Sequence, residues 1–359
     1  MCDVQKLNKL EDRYEIIEHI GGGTYGEVTK CIDRQNSWKI VALKRILYIT
    51  PQDGFPQTTI REIMLLKELN HPNIVSLENV IQVISTNSVY LVFEYCSYDL
   101  FALLKSDKSF CLNRQYLVIS IIKQVLVALH FCSIHHIVHR DLKPANIFLT
   151  VNNIVKLGDF GLARKISSSS QHLSYRVITL WYKPPELLLH THHYGTEVDM
   201  WSCGCILYEI LTGEVLFMSK HEDDLAQLNI IFDMCGVPTT EDWPEFHENY
   251  GKMFNSLDPK PSHLEEFLRT KIPEEWMGIL PLILKMLTLN PGKRISAENA
   301  LNDPFLLKFS NKKTDPNCLP MLDIPEIHQK NVIDQMREAR KNKEEKAKNL
   351  KGKEQIDAQ

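Results

Sequence analysis

The sequence lacks a strong imbalance of charge. Its 359 residues contain 41 Lys and Arg against 45 Asp and Glu, which leaves a formal net charge of only −4. This balance gives no reason to expect direct binding to nucleic acid, which depends on an excess of positive charge. The 44% hydrophobic and 24% charged residues are typical of a globular protein, and the length fits two ordinary domains or one large domain.

The sequence also lacks paired cysteines and an apolar leader. Nine cysteines are scattered along it without a C-x-x-C pair, which favours free thiols in a reducing compartment. Residues 1–15 are polar and contain no apolar core of the kind that a signal peptide needs, so we expect no secretion signal. The apolar stretch 117–131 contains Lys123 and Gln124, so we expect a helix packed in a protein core and no membrane association.

Two polar segments indicate the chemistry. His139-Arg140-Asp141-Leu142-Lys143-Pro144-Ala145-Asn146 places a carboxylate, an amine and an amide in one short loop, and Asp159-Phe160-Gly161 adds a second carboxylate. Phosphoryl transfer needs a base near the acceptor hydroxyl, oxygen ligands for Mg²⁺ and cations on the phosphates. Asp141 is the candidate base, Asn146 and Asp159 are the candidate Mg²⁺ ligands, and Lys143 is the candidate cation on the transferring phosphate. Either segment alone could be a polar turn, but both in this order resemble the catalytic and metal-binding loops of protein kinases.

A glycine-rich segment precedes these loops. Gly21-Gly22-Gly23-Thr24-Tyr25-Gly26-Glu27-Val28 fits G-x-G-x-x-G-x-V, a pattern whose first six positions also occur in dinucleotide-binding turns. Such a turn opens directly into a helix, whereas strand-like residues flank these glycines on both sides, so we predict a hairpin.

A lysine and a glutamate follow the glycine-rich segment. Val41-Ala42-Leu43-Lys44 reads as a short strand that ends in a phosphate-binding Lys, and Glu62 is its candidate carboxylate partner. Glu62 lies in residues 58–69, where Ile60, Ile63, Leu66 and Leu69 are spaced to form one apolar face of a helix.

Over residues 14–309 the sequence resembles the eukaryotic Ser/Thr protein kinases, and within them the cyclin-dependent kinases. Residues 56–62 resemble the cyclin-binding helix of these kinases, residues 177–182 their substrate-facing loop, and residues 199–205 the start of their central helix. MAP kinases share much of this pattern, but their Thr-x-Tyr activation pair is absent from this sequence.

The resemblance extends to a sub-group. Gly54-Phe55-Pro56, residues 184–189 and residues 225–228 are most similar to the transcription-elongation members, which phosphorylate the repeat tail of RNA polymerase II with a K- or T-type cyclin. Glu326 and His328, ahead of a basic tail, resemble the C-terminal extension of the same sub-group. A cell-cycle or splicing-linked cyclin-dependent kinase with other substrates is the alternative. A pseudokinase scaffold is a second alternative, although such proteins usually lack the Lys, the base or a metal ligand.

The resemblance implies an α+β fold with the two lobes of protein kinases, a small antiparallel β-sheet lobe with one key helix and a large, mainly helical lobe. We expect an N-terminal extension at residues 1–13, the N-lobe at 14–95, the C-lobe at 96–309 and a charged C-terminal extension at 310–359. The apolar stretch 197–211 should be a buried core helix. The basic end of the chain should be an exposed helix or disordered.

The same resemblance implies ATP and Mg²⁺ as cofactors and assigns a set of residues to the ATP site. These are Ile20, Gly21, Gly23, Gly26, Val28, Ala42, Lys44, Glu62, Phe93, Glu94, Cys96, Asp99 and Phe148. Phe93 would be the gatekeeper, Glu94 and Cys96 would offer backbone groups to adenine, and Asp99 would bind ribose. Phe148 stands on the floor of the adenine pocket, where the family usually has Leu.

Two further groups are implied by the resemblance. Ser174 is the expected activating phosphosite, where the family usually has Thr, and Arg61, Arg140 and Arg164 would bind its phosphate. Ile178, Thr179 and Lys183 would line the substrate groove, which selects Pro after the acceptor. Lys183 replaces an Arg that usually holds a carbonyl of Val177-Ile178 away from the substrate, so we expect a weaker preference for Pro.

The remaining expectations concern location and minor features. A transcriptional kinase implies a nuclear location, with the cytoplasm as an additional possibility. The histidines at 190, 192 and 193 lack matching ligands and favour a solvated loop over a metal site. The serine run 167–170 reads as part of the activation segment that could carry extra phosphates.

Overall fold

The computed structural model describes residues 4–23, 26–46, 57–86, 88–107, 109–166, 172–254 and 261–338. These residues form a smaller lobe built on a β-sheet and a larger, mainly helical lobe. Thr24 and Tyr25 of the glycine-rich segment, residues 54–56, the serine run 167–170 and the basic tail from 339 onward lie outside the described residues.

The smaller lobe contains a six-stranded sheet in the order β1-β5-β6-β4-β3-β2. Its strands are β1 (Gln5–Leu7), β2 (Tyr14–Gly23), β3 (Gly26–Asp33), β4 (Lys39–Ile46), β5 (Leu77–Val83) and β6 (Ser88–Glu94). All neighbouring strands are antiparallel except β1, which pairs with β5 in parallel register. The expected fold is confirmed with one addition, because the segment expected to precede the lobe supplies its edge strand.

Side chains on β4 alternate between the two faces of this sheet, as the pleat of a strand requires. Val41 and Leu43 are buried in a small core on the outer face, with Tyr14 and Cys31 among their neighbours. Ala42 and Lys44 therefore lie on the opposite face, toward the larger lobe, and both contribute to the cleft between the lobes.

Helix α1 (Gln57–Glu68) packs across the inner face of the sheet. Ile63 and Leu66 are buried as expected, and Leu65 joins them. The expectation for Ile60 was wrong, because it is 44% exposed and lies one helical turn from Met64, which is 61% exposed. The helix thus has a second, outward apolar face.

The larger lobe is mainly helical. Its helices are α2 (Leu100–Ser106), α3 (Gln115–Ile134), α4 (Pro185–Leu188), α5 (Glu197–Thr212), α6 (Asp224–Cys235), α7 (Pro244–Phe254), α8 (Leu264–Lys271), α9 (Leu280–Met286), α10 (Ala297–Leu301), α11 (Pro304–Leu307) and α12 (Asn311–Thr314). The short strands β7 (Tyr98–Asp99), β8 (Ile137–Val138), β9 (Ile147–Leu149), β10 (Val155–Leu157) and β11 (Arg164–Lys165) form two small sheets in the orders β10-β9-β7 and β11-β8. A last helical stretch covers residues 329–338.

Helix α3 is long and apolar enough to cross a membrane by length and composition alone. In the structure, 61% of its most apolar window is buried against the rest of the lobe. This packing is that of a core helix, as the sequence predicted for residues 117–131.

Helix α5 is the centre of the larger lobe, and 14 of its 16 residues are buried. Gly204 allows this packing, since a Cβ at its position would lie 2.9 Å from Met286 and 3.0 Å from Leu287. The helix ends at Gly213, whose φ of 72° is the left-handed conformation that glycine adopts at helix ends without strain.

A buried ion pair joins the start of this helix to its neighbours. The guanidinium of Arg294, whose side chain is 0% exposed, donates to both carboxylate oxygens of Glu186 at 2.7 and 2.9 Å. Its other hydrogen bonds go to the carbonyls of Thr288, Leu289 and Glu197. The cation therefore holds three separate segments of the lobe together.

We expect Arg294→Met to lower the free energy of unfolding by about 3–5 kcal/mol, because it leaves the carboxylate of Glu186 buried without its partner. Urea unfolding followed by tryptophan fluorescence measures the loss. Arg269→Met is the matched control, since Arg269 pairs with Glu265 on an exposed helix surface and should change stability by less than about 1 kcal/mol. Equal losses in the two variants would contradict the role given to Arg294.

Candidate active site

A cavity of about 580 Å³ lies between the two lobes, within the usual size range of ligand pockets. Its walls bring together residues far apart in sequence, from the glycine-rich hairpin, α1, the segment joining the lobes and both polar loops. Among the residues assigned to ATP, Mg²⁺ or catalysis, the walls include Ile20, Gly21, Gly26, Val28, Ala42, Lys44, Glu62, Phe93, Glu94, Cys96, Asp99, Asp141, Lys143, Asn146, Phe148 and Asp159.

The glycine-rich segment forms the hairpin between β2 and β3, as predicted. Gly23 ends β2 and Gly26 begins β3. Gly26 has a φ of 151°, and a Cβ at its position would lie 2.1 Å from the carbonyl oxygen of Arg45 on β4. Glycine is therefore required here, where the backbones of two neighbouring strands approach each other.

Lys44, Glu62 and Asp159 form one charged cluster on the inner wall. The Nζ of Lys44 donates to both carboxylate oxygens of Glu62 at 2.8 and 3.0 Å and to Oδ1 of Asp159 at 3.3 Å. Burial by itself would lower the pKa of Lys44, but the two carboxylates outweigh it and the net shift is upward, so the lysine stays charged. The cluster fixes a cation in the cleft and joins α1 to the loop of the larger lobe.

Asp199 on α5 holds the backbone of the catalytic loop, residues 139–146. One carboxylate oxygen accepts the backbone N–H of His139 at 2.8 Å, and the other accepts that of Arg140 at 3.0 Å. Arg140 has a φ of 67°, a conformation that is uncommon for a residue with a side chain. Asp199 thus stabilises the turn that presents the next residue, Asp141, to the cleft.

Asp141 lies at the centre of a group of hydrogen bonds at the mouth of the cleft. Its Oδ2 accepts from the Nζ of Lys143 at 2.7 Å and the Nδ2 of Asn146 at 3.1 Å. Its Oδ1 accepts from the hydroxyl of Thr179 at 3.2 Å, and Lys143 also donates to that hydroxyl. The sequence had placed Thr179 only in the substrate groove, whereas the structure also joins it to the candidate base.

Two oxygen donors near Asp141 fit a magnesium ion. The amide nitrogen of Asn146 is used on Asp141, whereas its Oδ1 has no hydrogen-bond partner among the described residues. Burial would raise the pKa of Asp159, but Lys44 outweighs it and holds the pKa below its usual value, so the carboxylate is charged. A neutral amide oxygen and a carboxylate are the hard ligands that Mg²⁺ prefers.

The segment joining the lobes offers unpaired polar groups to the cleft. Cys96 is 6% exposed, and neither its backbone N–H nor its carbonyl forms a hydrogen bond with any described residue. Buried backbone groups are normally paired, so this pair of groups fits a ligand with a complementary donor and acceptor edge, such as adenine. Phe93, on the strand just before this segment, is 8% exposed and closes the back of the cavity.

Phe148 forms the floor of this part of the cavity, and Gly158 makes room for it. A Cβ at position 158 would lie 2.6 Å from Cε2 of Phe148 and 3.3 Å from Val75. The large side chain on the floor is therefore accommodated by the absence of a side chain directly before Asp159.

The expectation that Asp99 offers its carboxylate to ribose is not met by the structure. Asp99 is 2% exposed, and its Oδ1 accepts the N–H of Ala102 at 2.7 Å, which caps α2. Its Oδ2 accepts the N–H of Gln329. Burial raises the pKa of Asp99 to about 7, and both carboxylate oxygens are already occupied by backbone donors.

The second of these donors belongs to residues 324–338, which we call the C-terminal strap. The carboxylate of Glu326 accepts from Lys30 on β3, Tyr95 at 3.0 Å and Ser97 at 2.9 Å. The neighbouring His328 contacts the hydroxyl of Tyr95 at 3.1 Å, and burial lowers its pKa to about 4, so its ring is neutral. Beyond these contacts, residues 328–330, 333, 334 and 337 line the cavity.

The sequence named Glu326 and His328 but did not predict that this segment would form part of the cleft. Only the general pattern of an acidic residue and a histidine before a basic tail signalled it. The strap ties a strand of the smaller lobe to the segment joining the lobes.

The arginines assigned to a phosphate on Ser174 do converge. The pKa of Arg164 is lowered to about 10, first by burial and then by the positive charges of Arg140 and Arg61. Ser174 is exposed, and its hydroxyl accepts the N–H of Arg176 at 3.2 Å. Three neighbouring cations and an accessible hydroxyl are the arrangement that a phosphate on Ser174 would stabilise.

The substrate loop contains a strained residue, Ile178, and a buried lysine, Lys183. Ile178 adopts a φ of 67°, a strained conformation for a β-branched residue that turns the backbone at this point. Lys183 replaces an Arg that usually holds a carbonyl of Val177-Ile178, and its Nζ instead donates to Asp224 at 2.9 and 3.1 Å, which is in line with the weaker hold expected for Lys; its side chain is 5% exposed. A buried ammonium requires a counter-charge, and the carboxylate at the start of α6 supplies it.

Two minor expectations concern thiols and metals. The eight cysteines within the described ranges are all free thiols. His190 stacks on Tyr175, and His172, His192 and His193 make edge-on or tilted ring contacts with one another or with Tyr175. No cluster of three or more His, Cys, Asp or Glu side chains suited to a metal ion occurs in the part of the chain that the structure describes.

Comparison with known proteins places the fold and the cleft in a family. The protein kinase domain family matches residues 14–306. The serine/threonine-protein kinase ppk23 of Schizosaccharomyces pombe is 39% identical over 341 residues, which cover 94% of this chain and 83% of that protein. Cyclin-dependent kinase 12 of Caenorhabditis elegans is 40% identical over 86% of this chain, but the match spans only 42% of that longer protein.

A solved structure shows the same relation. A chain in the crystal structure of the yeast RNA Pol II CTD kinase CTDK-1 complex superposes with a TM-score of 0.72 at 34% identity, covering 85% of this chain and 96% of that chain. The chain described here is a member of the protein kinase family, a serine/threonine protein kinase of the cyclin-dependent group.

Proposed function

We propose that this kinase uses ATP and Mg²⁺ to phosphorylate Ser or Thr followed by Pro, with the repeat tail of RNA polymerase II as its protein substrate. The observation that carries the proposal is the group around Asp141, whose carboxylate lies between Lys143, Asn146 and Thr179 at the mouth of a cleft with a fixed cation. A base, a cation beside it and two metal ligands are thereby within one site, which is the set that phosphoryl transfer needs.

Different residues of the cleft bind different parts of the nucleotide. The backbone of Cys96 and the apolar side chains around Phe93 take the adenine, and the hairpin of Gly21 and Gly26 covers the phosphates. The hydrogen bond from Gln329 to Asp99 places the C-terminal strap beside the position expected for ribose. Lys44 supplies positive charge to the phosphates, and Glu62 keeps its ammonium in place.

The transfer itself is assisted by the residues of the catalytic loop. Asn146 and Asp159 would hold Mg²⁺, which supplies positive charge to the phosphate oxygens when bound. Asp141 accepts the proton of the substrate hydroxyl and orients that hydroxyl toward the phosphate. Lys143, now hydrogen-bonded to Asp141 and Thr179, is the cation available to the transferring phosphate.

The substrate and partner assignments rest on the relatives and on exposed surface. The matched yeast structure is that of an RNA Pol II CTD kinase complex, and the backbone turn at Ile178 is compatible with a groove for Pro. Ile60 and Met64 form the outward apolar face of α1, which supports a cyclin as the partner, and the resemblance to the transcription-elongation kinases favours the K or T type. In the structure Glu62 already contacts Lys44, so the cyclin would stabilise this position of α1. These assignments imply a nuclear location, with the cytoplasm as a further possibility.

Activation is proposed to depend on phosphate at Ser174. The phosphate would neutralise the repulsion among Arg61, Arg140 and Arg164 and accept charge-assisted hydrogen bonds from them.

Asp141→Asn tests the proposed base. We expect kcat to fall by about 10²–10⁴-fold, because the amide can neither accept the proton nor keep the negative charge beside Lys143. The complex purified with its cyclin is assayed for transfer of radiolabelled phosphate to a peptide. Asp107→Asn is the matched control and should keep its rate, because Asp107 directly follows α2, pairs with Arg114 and does not line the cleft. Equal turnover of Asp141→Asn and the wild type would refute the assignment.

Gly158→Ala tests the floor of the adenine pocket. The added methyl group would overlap Phe148, so we expect a cost of about 1–3 kcal/mol that appears as a higher KM for ATP. The KM for the peptide should not change. Phe148→Leu in the same chain should restore ATP affinity by removing the overlapping ring atoms. A double variant as impaired as Gly158→Ala alone would show that Phe148 is not the obstacle.

Peptide substrates can distinguish a kinase that acts on the polymerase tail from a cyclin-dependent kinase with other substrates. We expect the native complex to phosphorylate polymerase-repeat peptides with a higher kcat/KM than histone-type peptides that also carry Ser-Pro. The opposite order would favour a cell-cycle or splicing-linked cyclin-dependent kinase, with the Asp141 result unaffected.

A further inference from the structure

Tyr194 lies between the phosphosite and the catalytic loop, and the proposed mechanism gives it no role. Its hydroxyl accepts a hydrogen bond from a terminal nitrogen of Arg140 at 2.9 Å and donates one to the backbone carbonyl of Ser174 at 2.6 Å. Tyr194 is 8% exposed, so water competes little for these bonds. One hydroxyl therefore joins two segments that are far apart in the sequence.

The activation-segment end of this link is held by neighbouring contacts. The N–H of Leu173 donates to the carbonyl of His192 at 3.0 Å, and Nδ1 of His192 lies 2.9 Å from the carbonyl of Leu173. Leu173 and Ser174 are thus attached to residues 192–194, just before α5. Of these attachments, the one through Tyr194 continues to the catalytic loop.

The catalytic-loop end is Arg140, which precedes Asp141. Its Nε donates to the carbonyl of Leu162, directly after Asp159-Phe160-Gly161, and its backbone N–H donates to Asp199. Arg140 is 1% exposed, and a buried guanidinium needs acceptors for its donors. The hydroxyl of Tyr194 is one of those acceptors in a region where the other nearby side chains, Arg164 and Arg61, are cations.

We infer that Tyr194 is a positioning residue that couples the activation segment to the catalytic loop before Ser174 is phosphorylated. Its hydroxyl supplies a neutral acceptor to Arg140 and holds the backbone of Ser174, so the loop around Asp141 is partly ordered without a phosphate. A phosphate on Ser174 brings stronger acceptors to Arg140 and makes the hydroxyl less necessary. This inference rests on the proposed kinase activity and on the proposed role of Ser174.

Tyr194→Phe removes both hydrogen bonds and keeps the ring. The full-length kinase is purified in complex with its cyclin, and half of each preparation is treated with phosphatase to remove phosphate from Ser174, which mass spectrometry verifies. The values of kcat/KM for a peptide and of KM for ATP are then measured for both forms.

We expect Tyr194→Phe to lower kcat/KM for the peptide by about tenfold in the dephosphorylated form, since a hydrogen bond to a charged group is lost. The loss in the phosphorylated form should be at most about twofold, so the variant depends more on phosphorylation than the wild type. The KM for ATP should stay unchanged, because no contact of Tyr194 reaches Lys44 or Glu62 in the described residues.

Tyr250→Phe is the matched control. The hydroxyl of Tyr250 lies 3.5 Å from that of Thr191, on the same loop, and reaches neither Ser174 nor Arg140. Tyr250→Phe should leave the ratio of kcat/KM between the phosphorylated and dephosphorylated forms at the wild-type value. Thermal denaturation of both variants shows whether either has lost its fold, and hydrogen exchange of residues 172–180 gives a second readout, which should be faster only in dephosphorylated Tyr194→Phe.

Two outcomes would overturn the inference. The first is an equal loss in both phosphorylation states, which would mark a general structural role. The second is no loss in either state with unchanged hydrogen exchange. Failure of the proposed role of Ser174 looks different, since the wild-type enzyme would then show the same activity with and without phosphate. A loss confined to the dephosphorylated form of Tyr194→Phe, with Tyr250→Phe unaffected, would still support the coupling in that case.

Discussion

The arrangement of the active site depends on the attachment of the catalytic loop to Asp199. This carboxylate projects from α5, in which 14 of 16 residues are buried, and accepts two consecutive backbone N–H groups, those of His139 and Arg140. Without such an acceptor the left-handed conformation of Arg140 would have no compensation for its strain. Asp141, Asn146 and the guanidinium of Arg140 all take their positions from this turn, so the packing of α5 determines the geometry of the chemistry.

The two lobes are connected by charged contacts as well as by the chain. Lys44 on the sheet meets Glu62 on α1 and Asp159 of the larger lobe, so a single ammonium joins three elements around the place where the phosphates would lie. At the opposite end of the cleft, Glu326 of the C-terminal strap contacts Lys30 and the segment joining the lobes. The contacts of Lys44 with Glu62 and Asp159 and of Lys30 with Glu326 each pair a partly buried charge with its opposite, which is the condition for keeping such charges away from water.

Sequence patterns predicted the parts of the site whose function depends on residue type. Asp141, Asn146 and Asp159 were recognisable because their spacing is that of one loop and its neighbour, and the hairpin of glycines followed from the strand-like residues around it. Sequence patterns did not predict the partner where a side chain had a choice of partners. Lys183 lies beside Asp224 because the fold brings the start of α6 next to it, and Asp99 is occupied by a segment 230 residues further along the chain. Ile60 fits the spacing of a buried face, yet the sheet covers only part of α1.

The sequence by itself determined the family, the two-lobed fold and the residues available for phosphoryl transfer, because these depend on local spacing and on the chemistry of individual side chains. Only the tertiary structure decided which of those residues touch. The strap across the cleft, the pairing of Phe148 with Gly158 and the link from Arg140 through Tyr194 to Ser174 each join segments that are distant in sequence. Such contacts depend on how helices and loops pack, and a hydrogen bond or a van der Waals contact changes over a few tenths of an ångström, a scale that residue spacing does not specify.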